Sequence, residues 1–282
     1  MAKTKTKNKK AAQPKVKTDS GTVSGTDLAP APAPETGADV VVETVSEAAP
    51  DTPAASEPER QAMLWCRDMR FPRNMELLPK RVRMSLRTGS YEQKEADAAL
   101  RLIRKGDVVL ELGAGIGFMS TLISTQTRAR EVHSFEANPG LLDYIHEVHR
   151  LNRAKKAHLH HAVLGDKDGT TTFYCREDIL SSSLDPEDGG ADATPAQVPM
   201  RDANKVIAEI KPTVLVCDIE GAEADLLPKL DLSGLRALLI ELHPQWIGSA
   251  GIKSIFQLLH DQGLVYFPKM SFSKVAVFRS DW

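Results

Sequence analysis

Three segments of this 282-residue chain combine residue types and spacings that can do chemistry. The first is Glu111-Leu-Gly113-Ala-Gly115-Ile-Gly117. Glycines so spaced, after a strand and before a helix, let backbone and ligand approach closely because no Cβ intervenes. Without a ligand, the same glycines would simply make a tight strand-to-helix turn. Phe118 stands where a G-x-G-x-x-G dinucleotide loop needs its third glycine, which counts against a pyrophosphate at the helix start.

The second segment ends in Glu136, 19 residues beyond Gly117. That is close to the ~20 expected of a carboxylate that accepts both ribose hydroxyls. Alone it would be an exposed strand-end Glu, but beside the loop it points to a nucleoside cofactor. The third segment is Asp218-Ile-Glu220-Gly221-Ala-Glu223, directly after the apolar run Thr213 to Cys217. In an open α/β sheet, ligands bind at the carboxyl ends of strands beside the switch point. Asp218 or Glu220 is therefore expected to orient an acceptor, act as general base or help hold a cation, while Glu223 suits the positive first turn of a helix.

Further candidates are weaker. His243, in Glu241-Leu-His-Pro244, closes the next strand near the same cleft and is a candidate base. Asp166, just after the third strand, is placed to reach an adenine amine. Ser182 and Ser183 lie on a loop that would cover an acceptor, and Trp246 either lines that site or packs. His158, His160 and His161 look like a metal cluster, but a strand sends its side chains to opposite faces in turn, so no metal site is expected.

These residues need a scaffold that brings strand ends together. Ala96, Ala99, Leu100 and Ile103 mark one helix face; Asp107 to Leu112 reads as a buried strand, and a helix runs from Phe118. Val132 to Glu136 is a second strand, with a helix opening at Asn138-Pro139. Ala157 to Leu164 is a third strand, and Thr170 to Cys175 an antiparallel piece. Ser181 to Ala196, rich in Ser, Asp, Gly and Pro, reads as a long surface loop. A helix around Ala203 to Ile210, strands at Thr213 to Cys217 and Ala237 to Glu241, a helix through Ile255 to Leu259, and a hairpin of Leu264 to Phe267 with Val275 to Phe278 complete the pattern. Alternating strands and amphipathic helices predict an α/β fold: a mostly parallel sheet with helices on both faces, ending in an antiparallel hairpin.

Residues 1–60 have no place in that scaffold. They contain no aromatic residue, run from Lys-rich to Ala/Pro-rich and acidic, and are expected to be disordered. Residues 61–90 read as a docking segment, with Leu64, Trp65 and Phe71 meeting the domain, and 91–282 as the catalytic domain. The net charge of −2 hides this asymmetry. No apolar run is long enough to span a membrane, and no secretory or transit signal is apparent. Three widely spaced cysteines argue against disulfides and zinc and favour a reducing, cytoplasmic location.

The motifs together resemble the FkbM family of S-adenosylmethionine-dependent methyltransferases. The resemblance rests on Gly106 to Gly117, Phe135-Glu-Ala-Asn-Pro139, Ser182-Ser-Leu184, Asp218 to Glu223 and Ile240 to Pro244. It implies the seven strands of a Rossmann-like class I methyltransferase fold and O-methylation of a sugar or natural-product hydroxyl. Family members often carry Asn where Gly115 stands. On this reading Glu111, Gly113, Gly115, Gly117, Glu136 and Asp166 hold S-adenosylmethionine, and Asp218, Glu220 or His243 removes a proton from a small-molecule or glycan acceptor. A nucleic-acid partner is not expected, although a methyltransferase acting on protein or nucleic acid would find a use for the Lys-rich tail. A nicotinamide oxidoreductase, or a cofactor-binding protein without turnover, would also account for the glycine loop. Acceptor identity, metal dependence and oligomeric state are not encoded legibly.

Overall fold

The computed structural model describes residues 63–176, 182, 184 and 193–281. The chain divides into two units, Met1–Thr52 and Pro53–Trp282. The first, with the tail assigned to residues 1–60, lies outside the described residues.

The described chain opens with a hairpin of β1 (Met63–Cys66) and β2 (Met69–Pro72), followed by α1 (Lys80–Thr88) and α2 (Gln93–Leu102). Alternation in the hairpin buries Leu64, Cys66, Met69 and Phe71 against the core, while Trp65 is 45% exposed rather than docked. The core alternation then runs β3 (Val108–Leu112), α3 (Phe118–Gln126), β4 (Glu131–Glu136), α4 (Leu142–Asn152) and β5 (Ala157–His161). Two short strands, β6 (Val163–Gly165) and β7 (Gly169–Cys175), precede β8 (Thr194–Asp202) and α5 (Ala203–Ile210). The chain closes with β9 (Val214–Cys217), α6 (Glu223–Leu226), β10 (Ala237–Glu241), α7 (Pro244–Asp261), β11 (Val265–Tyr266) and β12 (Val275–Arg279).

Seven strands form the main sheet in the order β11-β12-β10-β9-β3-β4-β5. β10, β9, β3, β4 and β5 are parallel, and β12 runs antiparallel to both its neighbours. This is the expected Rossmann-like, mostly parallel seven-stranded sheet with an antiparallel C-terminal hairpin. Every residue of β3 and β9 is buried, as central parallel strands covered on both faces require. The strand order reverses between β3 and β9, so the cofactor loop after β3 and the acidic segment after β9 emerge side by side.

Two expectations needed revision. The strand predicted across Ala157 to Leu164 breaks at Ala162: β5 stays in the main sheet, and β6 leaves for a separate three-stranded sheet of order β6-β8-β7. The predicted loop from Ser181 to Ala196 gives way to β8 at Thr194, hidden in the sequence by Pro195 and Pro199. Proline cannot donate to a ladder and is tolerated only where one strand edge is free. β6 pairs with Met200 to Asp202 alone, which leaves both prolines on a one-sided stretch opposite β7. Most of the predicted loop, including Ser183, lies outside the described residues. No helix among the described residues is long and apolar enough to cross a membrane.

Candidate functional site

The loop after β3 is built by backbone contacts to both neighbouring strands. Gly113 and Ala114 donate to the Phe135 carbonyl at 3.0 and 3.2 Å, and Asp218 donates to the Leu112 carbonyl at 2.9 Å. A Cβ on Gly113 would stand 1.8 Å from the Asp218 carbonyl oxygen, at a φ of +85°. This glycine is therefore required by protein, not ligand: it lets the β3 and β9 ends touch. Gly115, at φ +54°, has nothing within 4 Å of its Cβ position, so here the open space belongs to whatever the cavity holds. Gly117 caps the start of α3.

Glu136 folds back under this loop. Its Oε2 accepts from Gly115 N at 2.8 Å and its Oε1 from Asn138 N at 2.7 Å. Burial raises its pKa to about 7 although these amides pull it down. Each oxygen keeps a second lone pair, so the carboxylate can order the loop and still receive ribose hydroxyls.

Glu111 is buried more deeply, 1% exposed, and neither of its oxygens completes a hydrogen bond. Burial lifts its pKa to about 8, and the nearby Ser134 relieves that only in part.

These residues border a cavity of about 810 Å³, large enough for a nucleoside cofactor with part of an acceptor. The cavity brings together Glu111, Gly113, Gly115, Glu136, Asp166, Asp218 and Glu220 of the predicted set. Gly117 and His243 stand behind the wall, and Asp166 sits exposed at the rim. Ser182 also lines it, its hydroxyl accepting from Arg176 N at 3.1 Å. Its lining is strongly acidic, and Lys229 is the one basic residue among the described lining. Such a wall suits a cofactor with a sulfonium and an ammonium group, and the unpartnered Glu111 and open space at Gly115 fit one. It does not suit a phosphate.

The acidic segment forms a network around His243. His243 is buried, with Nδ1 2.8 Å from Glu223 Oε1, and its Nε2 lies 3.7 Å from Asp218 Oδ1 and 3.4 Å from Glu220 Oε2. Burial alone would lower the imidazole pKa; the Glu223 bond and the Asp218 and Glu220 charges win and raise it to about 9. Asp218, desolvated and crowded by Glu241 and Glu220, is pushed well above the usual carboxylate range. Glu220 adopts φ +50° and Gly221 φ +103°, a tight turn in which Gly221 N donates to Glu223 Oε1 at 3.2 Å.

Glu223 opens α6 as expected, but its main partner is His243. These two residues belong to separate sequence motifs 20 residues apart, and neither motif carries a sign of their contact. Sequence reasoning also passed over Tyr91, Glu92 and Glu241, which line the cavity. Glu92, at φ +43°, has its carboxyl pushed well up by burial and by Asp218. Tyr91 and Glu92 fall between two helices with no chemical motif around them, and Glu241 was read only as the flank of His243. Trp246 does line the cavity, 48% exposed, against Gly221.

Among comparisons with known proteins, a family model described as the TRM5/TYW2 methyltransferase domain matches residues 78–179. This corrects the FkbM resemblance, which rested on short, separate segments, whereas the matched stretch is continuous. No curated protein gives a significant match. Solved structures similar to the chain include a precorrin-6y C5,15-methyltransferase from Geobacter metallireducens, at 12% identity and TM-score 0.41, covering 74% of this chain and 91% of that one. Trm5b from Pyrococcus abyssi is 14% identical at TM-score 0.43, covering 76% and 54%, so the chain spans about half of that protein. TYW2 from M. jannaschii in complex with AdoMet is 11% identical at TM-score 0.40, covering 75% and 81%. The chain is a methyltransferase, and its cofactor is S-adenosylmethionine.

Proposed function

We propose that this methyltransferase acts on RNA of the transfer class, placing a methyl group on a nucleotide brought into the acidic cavity. The observation that carries the proposal is the TRM5/TYW2 match, whose span holds both the glycine loop and Glu136. Enzymes of that type act on tRNA. This replaces the expectation of a small-molecule or glycan acceptor and of no nucleic-acid partner, which was drawn from family motifs.

Charge placement supports the reading. Exposed Arg73, Lys80 and Arg87 lie on and before α1, in the segment that leads to the cavity residues Tyr91 and Glu92. Basic side chains there would hold phosphates outside the cavity, where acid would repel them, while a splayed-out base enters. Trp246 offers that base an aromatic face.

S-adenosylmethionine, when bound, supplies an already activated methyl, so the protein's task is alignment and charge. Gly115 and Glu136 would hold the ribose end, with Glu111 near the amino group and Asp166 at the rim beside the adenine. His243, kept as imidazolium by Glu223, would stabilise an ionised carboxylate on Asp218 or Glu220. That carboxylate, rather than the imidazole, would take the acceptor's proton in the neutral range. Free cysteines among the described residues suit a reducing compartment, and the cytoplasm is our proposed location.

The test is transfer of labelled methyl from S-adenosylmethionine to unmodified tRNA by the purified full chain, followed by nucleoside analysis of the product. Label appearing only on small hydroxylated acceptors would overturn the RNA assignment and leave the cofactor assignment standing.

A further inference from the structure

A single strand scatters its side chains, so the histidines of β5 read in isolation make no metal site. The register of the sheet changes this for two of them. His158 and His160 share a face, and that face meets His133 of β4, the register partner of His158. Glu131, two residues before His133, projects to the same side. One ligand atom from each of Glu131, His133 and His158 lies within 4.8 Å of the others.

We propose that Glu131, His133 and His158 bind a divalent cation of the zinc class, with His160 as the residue that positions His133. His133 Nδ1 is 3.1 Å from His160 Nε2. With Nδ1 as donor, the His133 lone pair falls on Nε2, which faces Glu131 Oε2 across 3.8 Å. That gap is too long for a direct hydrogen bond and leaves room for a cation between the two atoms. Arg130 occupies the other oxygen, Oε1, at 2.8 and 3.1 Å, and leaves Oε2 to the ion.

The donor set is chemically consistent. Two imidazoles and one carboxylate are ligands zinc accepts, and a ligand His needs an acceptor for its other ring N–H, the part His160 Nε2 takes here. The His133 and His158 ring centroids lie 4.8 Å apart. His158 is exposed, which leaves an entry path and room for water. Glu131 begins β4 and Glu136 ends it, so this site sits at the opposite end of the strand from the cofactor cavity. An ion there would clamp β4 to the edge strand β5. The proposal is independent of the RNA reading.

Titration of the metal-stripped full-length protein with zinc chloride, followed by calorimetry, is the test. The expected result is one tight equivalent that His133→Gln and His158→Gln each abolish. His160→Phe should weaken it roughly tenfold to a hundredfold, as loss of an outer-shell partner does. His161→Gln should bind as the parent does, because His161 points elsewhere, toward the Ala137 carbonyl at 3.2 Å. Cobalt(II) in place of zinc should give visible absorption that the His133 variant lacks. S-adenosylhomocysteine binding by each variant reports whether it has folded. Absence of a stoichiometric zinc in the parent, or unchanged binding by folded His133→Gln and His158→Gln proteins, overturns the proposal.

Discussion

Glu223 Oε1 lies 2.8 Å from His243 Nδ1, and this buried pair turns the other imidazole nitrogen toward Asp218 and Glu220. A fully buried carboxylate so placed does more than start a helix: it keeps a positive charge behind two acids that face the cavity. The chemistry of β9's end is thus set from β10's end.

Removing that charge should move the acid limb of the rate profile. In His243→Gln, Asp218 and Glu220 lose the cation that lowers their pKa values, so the limb of kcat against pH shifts to higher pH, by about one unit or more. An unshifted limb would remove His243 from the electrostatics of the step.

Glu136→Gln tests the ribose assignment. An amide presents one acceptor oxygen where two backbone N–H groups now point, so the Gly115 or the Asn138 bond is lost along with the charge. S-adenosylhomocysteine should bind roughly tenfold to a hundredfold more weakly by calorimetry, the value of a charged hydrogen bond. Equal affinity would exclude Glu136 from the cofactor site.

The two high carboxyl pKa values fix a sign for stability against pH. Glu136 at about 7 and Glu111 at about 8 start from an ordinary value of 4.5, so the folded protein binds more protons than the unfolded one between these limits. Their contribution is fully present below pH 4.5 and is lost as pH rises through about 7 to 8. The cofactor-free Tm should fall across that window, and Glu111→Gln should flatten the fall. A flat parent curve would show that both groups are already ionised.

Gly113→Ala and Gly115→Ala should behave differently despite their shared motif. The first forces a Cβ onto the Asp218 carbonyl and should cost roughly 4 kcal/mol or more, or prevent folding. The second meets open space and only the left-handed backbone penalty, about 1–2 kcal/mol, but should weaken cofactor binding. Denaturant melts of both variants decide the comparison.

Arg73→Glu, Lys80→Glu and Arg87→Glu should weaken tRNA binding at all sequences and flatten its salt dependence by about one unit of slope for each phosphate left unneutralised. Cofactor affinity should hold. Unaltered salt slopes would move the RNA-binding face away from α1.

Much of this was legible in the chain. Continuous apolar runs marked β3 and β9 because both faces of those strands are covered, and Glu111, Glu136, Asp218 and Glu220 announced themselves by sitting at strand ends. What escaped depended on neighbours in space. Pro195 and Pro199 argued against β8 because the one-sided pairing that tolerates them is a property of the sheet. The partnership of Glu223 with His243, and of His133 with His158, needs strand order and register, which no single segment contains. Trp65 was expected to dock on the domain beside Leu64 and Phe71, while hairpin alternation faces it outward.

The two prolines of β8 have a further consequence. A strand whose outer edge is unclaimed invites another chain to add itself, the first step toward fibrillar stacking. Pro195 and Pro199 pair with Tyr174 and Thr170 on one side and present no donor to the other. The residues that concealed the strand from sequence reading therefore withhold two donors from the stretch of β8 that, among the described residues, β6 does not cover.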